Sequence, residues 1–467
     1  MTSLDPKGAN AFLRAPLPGL FLRTAAPIIL IMATNGLLAI VDAYFLGEYV
    51  GPDALAAVTL MFPAFMLLVA LSTLVASGMA SQLARLLGAG QTTQARETFL
   101  DAHGLALVIC ALVVAGFLLV GKDLALWLAN GSEPLAAMGY TYISILIWCS
   151  PLMFVLSLNG DGLRSEGRLG LVAAASFLTS IANAAMNYVL IVGFDYGVAG
   201  SAIGTALAQM AAVIFIIAYR LRAGTVLQYM PIASLRWTSA WRQLLTLGAP
   251  QSLSFIGISL LATVVIYSNQ VWEGGAYAAT VAAYGIITRI MTFAFLPLLG
   301  LNMAMQTIVG NNFGARLWDR SDAGLKLGLL LALAYCVIFE AVMLLTHGNL
   351  GSIFVDDMAT QREVARILPM TVALYVVAGP VMILSGYFQA IADAKRAILL
   401  SIARTYAFAI PLTLGLPHLM GERGIWLAGP AAELLMVLLV SVLLVHSRAK
   451  AGFSWGLFRA RSEAAGA

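Results

Sequence analysis

A chain of 467 residues that is 61% hydrophobic and 10% charged, with a mean hydropathy of +0.91, has too little polar surface to clothe a water-soluble fold of its size. Its formal net charge of +4 follows from membrane topology and points to no nucleic-acid partner. No glycine-rich phosphate loop is followed by Lys, which argues against ATP-driven pumping by this chain.

In chain order, apolar stretches fall at 24–46, 54–80, 98–120, 138–159, 169–193, 197–219, 243–268, 278–306, 326–346, 366–388, 397–417 and 424–446. A bilayer core of about 30 Å takes about 20 helical residues, and each stretch supplies that length. Backbone groups in hydrocarbon must be satisfied within the segment, so the stretches are predicted helices. The short alternating strands of a membrane β-barrel do not occur. The expected fold class is an all-α polytopic membrane protein with twelve transmembrane helices in two pseudo-symmetric six-helix lobes.

Residues before the first stretch are broken by Pro16, Pro18 and several charges and do not read as a cleavable signal. With the N-terminus inside, alternating loops put nearly all 26 Lys and Arg on or near the cytoplasmic side, Arg404 among them. The exceptions are Lys122, Arg362, Arg366 and Arg423 outside, and Arg289 deep within the eighth helix. Both termini are therefore expected in the cytoplasm, with the chain in a bacterial inner membrane. Cys110, Cys149 and Cys336 and the four His share no metal-ligand or disulfide spacing. The lipid bilayer is an expected partner, the chain is expected to be a monomer, and no cofactor is expected.

The chain repeats at an offset of about 225 residues. Leu86–Gly90 matches Asn312–Arg316, Leu163–Arg168 corresponds to Phe388–Asp393, and the sequence from Tyr196 resembles that from Arg423. Pro27 and Pro250 keep nearly the same interval. The repeat predicts an N-lobe at 24–219, a basic cytoplasmic linker at 220–242 and a C-lobe at 243–446.

One acid stands out. Asp42 lies in the otherwise uncharged stretch Pro27–Leu46, where an acid costs roughly 2.5–3.5 kcal/mol unless it meets a polar cavity, a cation or a proton.

Three segments carry a family resemblance: VDAYFLGEYVGPDALAAVTLMFP (Val41–Pro63), NAAMNYVLIVGFDYGVAGSAIGTALAQ (Asn183–Gln209) and GYFQAIADAKRAILLSIARTYAFAIP (Gly386–Pro411). They resemble the multidrug and toxic compound extrusion (MATE) family, and the likeness runs through nearly all twelve helices. It implies two lobes that open alternately to either side of the membrane, exporting organic and often cationic compounds in exchange for H+ or Na+. It also implies that Asp42 is the first-helix coupling acid and that Pro27 is a helix-one hinge, where a missing backbone donor weakens the helix. Asn183 and Asn187, one helical turn apart on one face, and the hydroxyl of Thr205 complete the implied site.

One carboxylate, two amide oxygens and a hydroxyl are hard ligands suited to a small cation, which makes Asp42, Asn183 and Asn187 a candidate Na+ site; the same carboxylate can take a proton instead. The plainer reading is that Asp42 pins helices together through the two amides. A second acid, Glu433, lies deep in the last helix as a C-lobe proton or substrate-charge candidate. Arg289 is the remaining deep charge, open to pairing with Glu433, to another partner or to snorkelling. Glu340 reads as a solvated boundary residue. Met32, Met66, Met153, Met186, Tyr284, Met291, Met303 and Phe388 are the candidate soft and aromatic lining for bulky cations. The alternative function is a flippase for a lipid-linked substrate, which calls for deep Arg and Lys; Arg289 alone meets that expectation here.

Overall fold

The computed structural model describes residues 10–129, 131–228, 240–272, 277–451 and 457. Among the described residues, ten helices are long and apolar enough to cross a membrane, and two bent helix pairs, each taken as one span, bring the number to twelve. They are α1 Leu17–Phe45, α2 Phe62–Gly88 with a lead-in helix Pro52–Leu60, α3 Thr92–Leu128, and α4, made of Glu133–Trp148 and Ser150–Ser165. Next come α5 Leu169–Asn187, α6 Gly197–Ala223, α7 Trp241–Trp272, α8 Tyr277–Gly314 and α9 Trp318–Phe354. α10 joins Met358–Val372 to Tyr375–Ala390, α11 starts at Ala394–Ile402, and α12 is Arg423–Ala451. Three described π-helical stretches interrupt this pattern: Leu46–Val50 after α1, Tyr188–Gly193 after α5, and Ala403–Ala409 within α11.

Most helices outrun the apolar stretches that predict them. α3 has 37 residues, about 55 Å at 1.5 Å per residue, because the polar run from Thr92 continues the helix outside the apolar segment. Two spans are broken instead. α4 bends by 50° at Cys149, immediately before Ser150 and Pro151, where the ring removes a donor and crowds the preceding turn.

α10 bends by 47° at Ala373 and Leu374, with Leu374 in the left-handed region at φ 65°. The acid of α9 makes this break tenable. Glu340 accepts hydrogen bonds from the backbone N–H groups of Leu374 (3.1 Å) and Val376 (2.8 Å), so it caps the second half of α10. The expectation of a solvated boundary residue is thereby corrected.

The chain divides into two compact units. The first holds residues 26–252 with 10–14, and the second holds 253 onward with 15–25. Both divisions fall inside helices, α1 and α7, beside Pro27 and Pro250; of the stretch 220–242, residues 229–239 lie outside the described residues.

In the first unit, Val75, Met79 and Leu83 of α2, Phe99 of α3, Phe154 and Leu158 of α4 and Leu244 of α7 form one buried cluster. Beside it α2 and α7 meet backbone to backbone. A Cβ on Gly78 would sit 2.0 Å from the Leu244 carbonyl oxygen, and one on Gly248 would sit 1.7 Å from that of Leu74. Only glycine permits such an approach.

At one end of the same unit, buried Arg220 of α6 donates to Asn159 Oδ1 (2.9 Å) and the Leu227 carbonyl (2.9 Å), pairs with Glu166 (3.5 Å), and lies over the Phe99 ring. The Leu227 N–H donates to Glu166 in turn (2.6 Å), so both buried charges are hydrogen-bonded as well as paired. In the second unit, Ile286 and Ile287 of α8, Ile367 and Leu368 of α10, and Trp426 of α12 form the main cluster.

Candidate functional site

Two polar clusters are built from helix interiors, one in each unit. In the first unit, α5 carries Asn183 and Asn187 one turn apart, and α6 packs along it. Gly204 of α6 faces the second amide: a Cβ there would come within 2.7 Å of Asn187 Oδ1. The bare backbone at this place makes room for the Asn187 side chain.

The hydrogen bonds run as a chain. Asn187 Nδ2 donates to Asp42 Oδ1 and to Asn183 Oδ1 (3.2 Å), and Asn183 Nδ2 donates to Thr205 Oγ1 (2.9 Å). Asn183 and Asn187 are fully buried, while Asp42 and Thr205 are half-buried. Asn187 Oδ1 is buried without a hydrogen-bond partner, an arrangement that costs roughly 1–3 kcal/mol unless something fills it. Tyr142 of α4 lies within electrostatic reach of Asp42, a neighbour that no sequence spacing announces. The π-helical stretches Leu46–Val50 and Tyr188–Gly193 begin four residues after Asp42 and directly after Asn187; such turns recur at functional sites.

The second unit holds a charged cluster. Glu433 of α12 is 8% exposed, and its partner is Arg404, which stands in the π-helical stretch of α11. Arg404 Nε (2.9 Å) and Nη2 (2.7 Å) both reach Glu433 Oε1. Arg404, expected on or near the cytoplasmic side with no partner assigned, is thus the partner of Glu433, and Arg289 is not. Arg289 is exposed on α8. Tyr375 of α10 and Cys336 of α9 lie within electrostatic reach of the pair.

Other expected positions separate from these clusters. α1 runs as a helix through Pro27. Met153 packs on the first-unit core, Tyr284 and Met291 pack on the second-unit core, and Phe388 is buried. Met32, Met66, Met186 and Met303 are half-buried. Among the described residues, no group of three or more His, Cys, Asp or Glu is placed to hold a metal ion.

A third network, Glu363–Arg366–Glu422, ties the start of α10 to that of α12. Arg366 lies 2.5 Å from each acid, and Trp426 Nε1 donates to Glu422 (2.8 Å).

The MatE family model matches the chain twice, at residues 27–189 and 252–414, with the two matches offset by about 225 residues as the internal repeat requires. Multidrug export protein MepA of Staphylococcus aureus is 24% identical over 443 residues, covering 93% of this chain and 95% of MepA. Probable multidrug resistance protein YoeA of Bacillus subtilis is 25% identical over 427 residues, covering 89% and 90%. A solved outward-facing multidrug resistance MATE family transporter of the MOP superfamily matches with a TM-score of 0.83 at 21% identity, over 92% of this chain and 95% of that one.

Proposed function

Because the chain belongs to the multidrug and toxic compound extrusion (MatE) family of membrane transporters, we propose that it is a secondary exporter that moves bulky organic, often cationic, compounds out of the cell in exchange for H+ or Na+. The observation that carries this reading is the hydrogen-bonded chain Asp42–Asn187–Asn183–Thr205, which joins one acid to two buried amides. Export of drugs by relatives such as MepA supports the substrate class.

Asp42 is the coupling group in this scheme. As arranged, the Asn187 amide gives its N–H to the carboxylate and holds its oxygen without a partner. Turning that amide over exchanges donor for acceptor, so the same side chains can serve a carboxylate in one state and offer amide and carboxylate oxygens to a cation in another. A proton on Asp42 would remove the charge directly. Loading of substrate from the cytoplasm or inner leaflet, followed by cation or proton entry at Asp42 from outside, would drive alternating access. A membrane potential would contribute about 2.3 kcal/mol per charge per 100 mV. In this reading the protein works in the inner membrane with both termini cytoplasmic.

The test is efflux of a fluorescent organic cation from vesicles with sodium and pH gradients imposed separately. The parent protein is expected to respond to one gradient, and Asp42→Asn to lose at least tenfold of that response. Equal gradient-driven efflux by both would remove Asp42 from the mechanism.

A further inference from the structure

Arg168 and Tyr219 meet where the antiparallel helices α5 and α6 leave their apolar stretches. Arg168 immediately precedes the stretch 169–193, and Tyr219 is the last residue of 197–219. Contacts along the pair fix this register: Arg168 meets Tyr219, Asn183 meets Thr205, and Gly204 faces Asn187. Arg168 stands fifteen residues before Asn183, about 22 Å along the helix at 1.5 Å per residue. The contact therefore lies at a membrane boundary, well away from the first-unit polar cluster.

Arg168 is held in place there without being neutralised. Its Nη1 donates to the Tyr219 hydroxyl (2.5 Å), and its guanidinium lies 5.5 Å from the centre of the same ring. Glu166 is within electrostatic reach of Arg168, but its oxygens receive Arg220 and the Leu227 N–H. Arg222 follows Tyr219 by three residues, on the same face of α6, and is exposed. Among the described residues, neither Arg168 nor Arg222 forms a salt bridge with an acid.

The flank beside these two cations is apolar. Ile214, Phe215 and Leu221 of α6 and Phe177, Leu178 and Ile181 of α5 are exposed, and in a membrane-spanning helix pair such surface belongs against acyl chains. A basic head beside an apolar flank is the complement of a lipid with a negative headgroup.

We infer that Arg168, Tyr219 and Arg222 form a docking site for the phosphate headgroup of an anionic phospholipid, whose acyl chains lie on the exposed apolar flank of α5 and α6. An arginine fork suits phosphate oxygens, and two arginines beside a membrane favour a headgroup of net negative charge over a zwitterionic one. The second unit supplies the contrast. Where the internal repeat places Arg168 it has Asp393, an acid that accepts the Arg396 N–H of its own helix (3.3 Å) and pairs with the Arg396 side chain (3.4 Å). The anion-seeking surface is therefore confined to the first unit.

The experiment counts lipids bound to the full-length purified protein by native mass spectrometry, with dioleoyl phosphatidylglycerol and dioleoyl phosphatidylcholine as the two probes. The parent is expected to hold the first phosphatidylglycerol about tenfold more tightly than phosphatidylcholine, or better. Arg168→Gln and Arg222→Gln should each lose about fivefold of that preference, and the double variant nearly all of it, with phosphatidylcholine binding unchanged. Tyr219→Phe, which keeps the ring and removes the acceptor that orients Arg168, should lose part. Phosphatidylglycerol should also raise the melting temperature of the parent more than that of the double variant, and the melts establish that each variant is folded. Lys395→Gln, which removes an exposed cation at the start of α11, should leave the preference as it is.

A parent without preference, an undiminished preference in the folded double variant, or equal loss of both lipids would overturn the inference. So would an equal loss in Lys395→Gln, which would reduce the effect to general surface charge. Displacement of the lipid by glycerol 3-phosphate at like concentration would also overturn it, by making the ligand a soluble phosphate.

Discussion

Asn187 occupies the most constrained position in the first-unit site. It is fully buried, it bonds two side chains at once, and its oxygen faces the bare backbone of Gly204. Gly204→Val would press branched carbons against that oxygen and force the amide off Asp42. The expected outcome is a loss of at least tenfold in gradient-driven efflux from protein that is still folded but melts somewhat lower, read in the vesicle assay with parallel melts. A variant that transports normally would show that the amide has no part in coupling.

At the scale of the helix, the break in α10 depends on an acid from elsewhere. Glu340→Ala would leave the N–H groups of Leu374 and Val376 without their acceptor and is expected to lower stability by about 1–3 kcal/mol. Thermal unfolding of the purified protein measures this, and Glu340→Gln, which keeps an acceptor, should lose less. The sequence pattern marks twelve apolar stretches, and ten long helices with two bent pairs occupy them. It also isolates Asp42, because a single acid among apolar neighbours is conspicuous in one dimension.

The role of Glu340 is hidden for the opposite reason: its partners lie 34 and 36 residues away, at a backbone break that no spacing encodes. Arg404 is hidden by its neighbours. Lys395 and Arg396 at the start of α11 make a basic flank into which its charge merges in the sequence, whereas the helix carries it to Glu433 of α12.

Across the whole molecule, polar ties at helix ends hold together what the apolar clusters align. The Glu363–Arg366–Glu422 network is one such tie. Burial pushes the Glu422 carboxyl up, but hydrogen bonds from Arg366 and Trp426 and the nearby positive charges outweigh this and leave it below the usual carboxylate range. A depressed acid stabilises the fold above its unfolded value, and that contribution is lost as pH falls through the lower, folded value. Melting temperature should therefore drop on acidification below about pH 4.5, the ordinary glutamate range, and Glu422→Gln should melt lower at neutral pH with a flatter acid limb. Melts of both proteins at a series of pH values decide it; parallel acid limbs would remove Glu422 from the response.

The crossing of α2 and α7 at Gly78 and Gly248 has a mechanical meaning. Main chain opposes main chain there, with no rotamer to yield, so the two rods act like scissor blades on a rivet: they can swivel about the point but cannot slide along each other. Spectroscopic labels placed level with the rivet should keep a constant separation through the working cycle, while labels further along α2 and the first turns of α7 should register whatever rotation occurs.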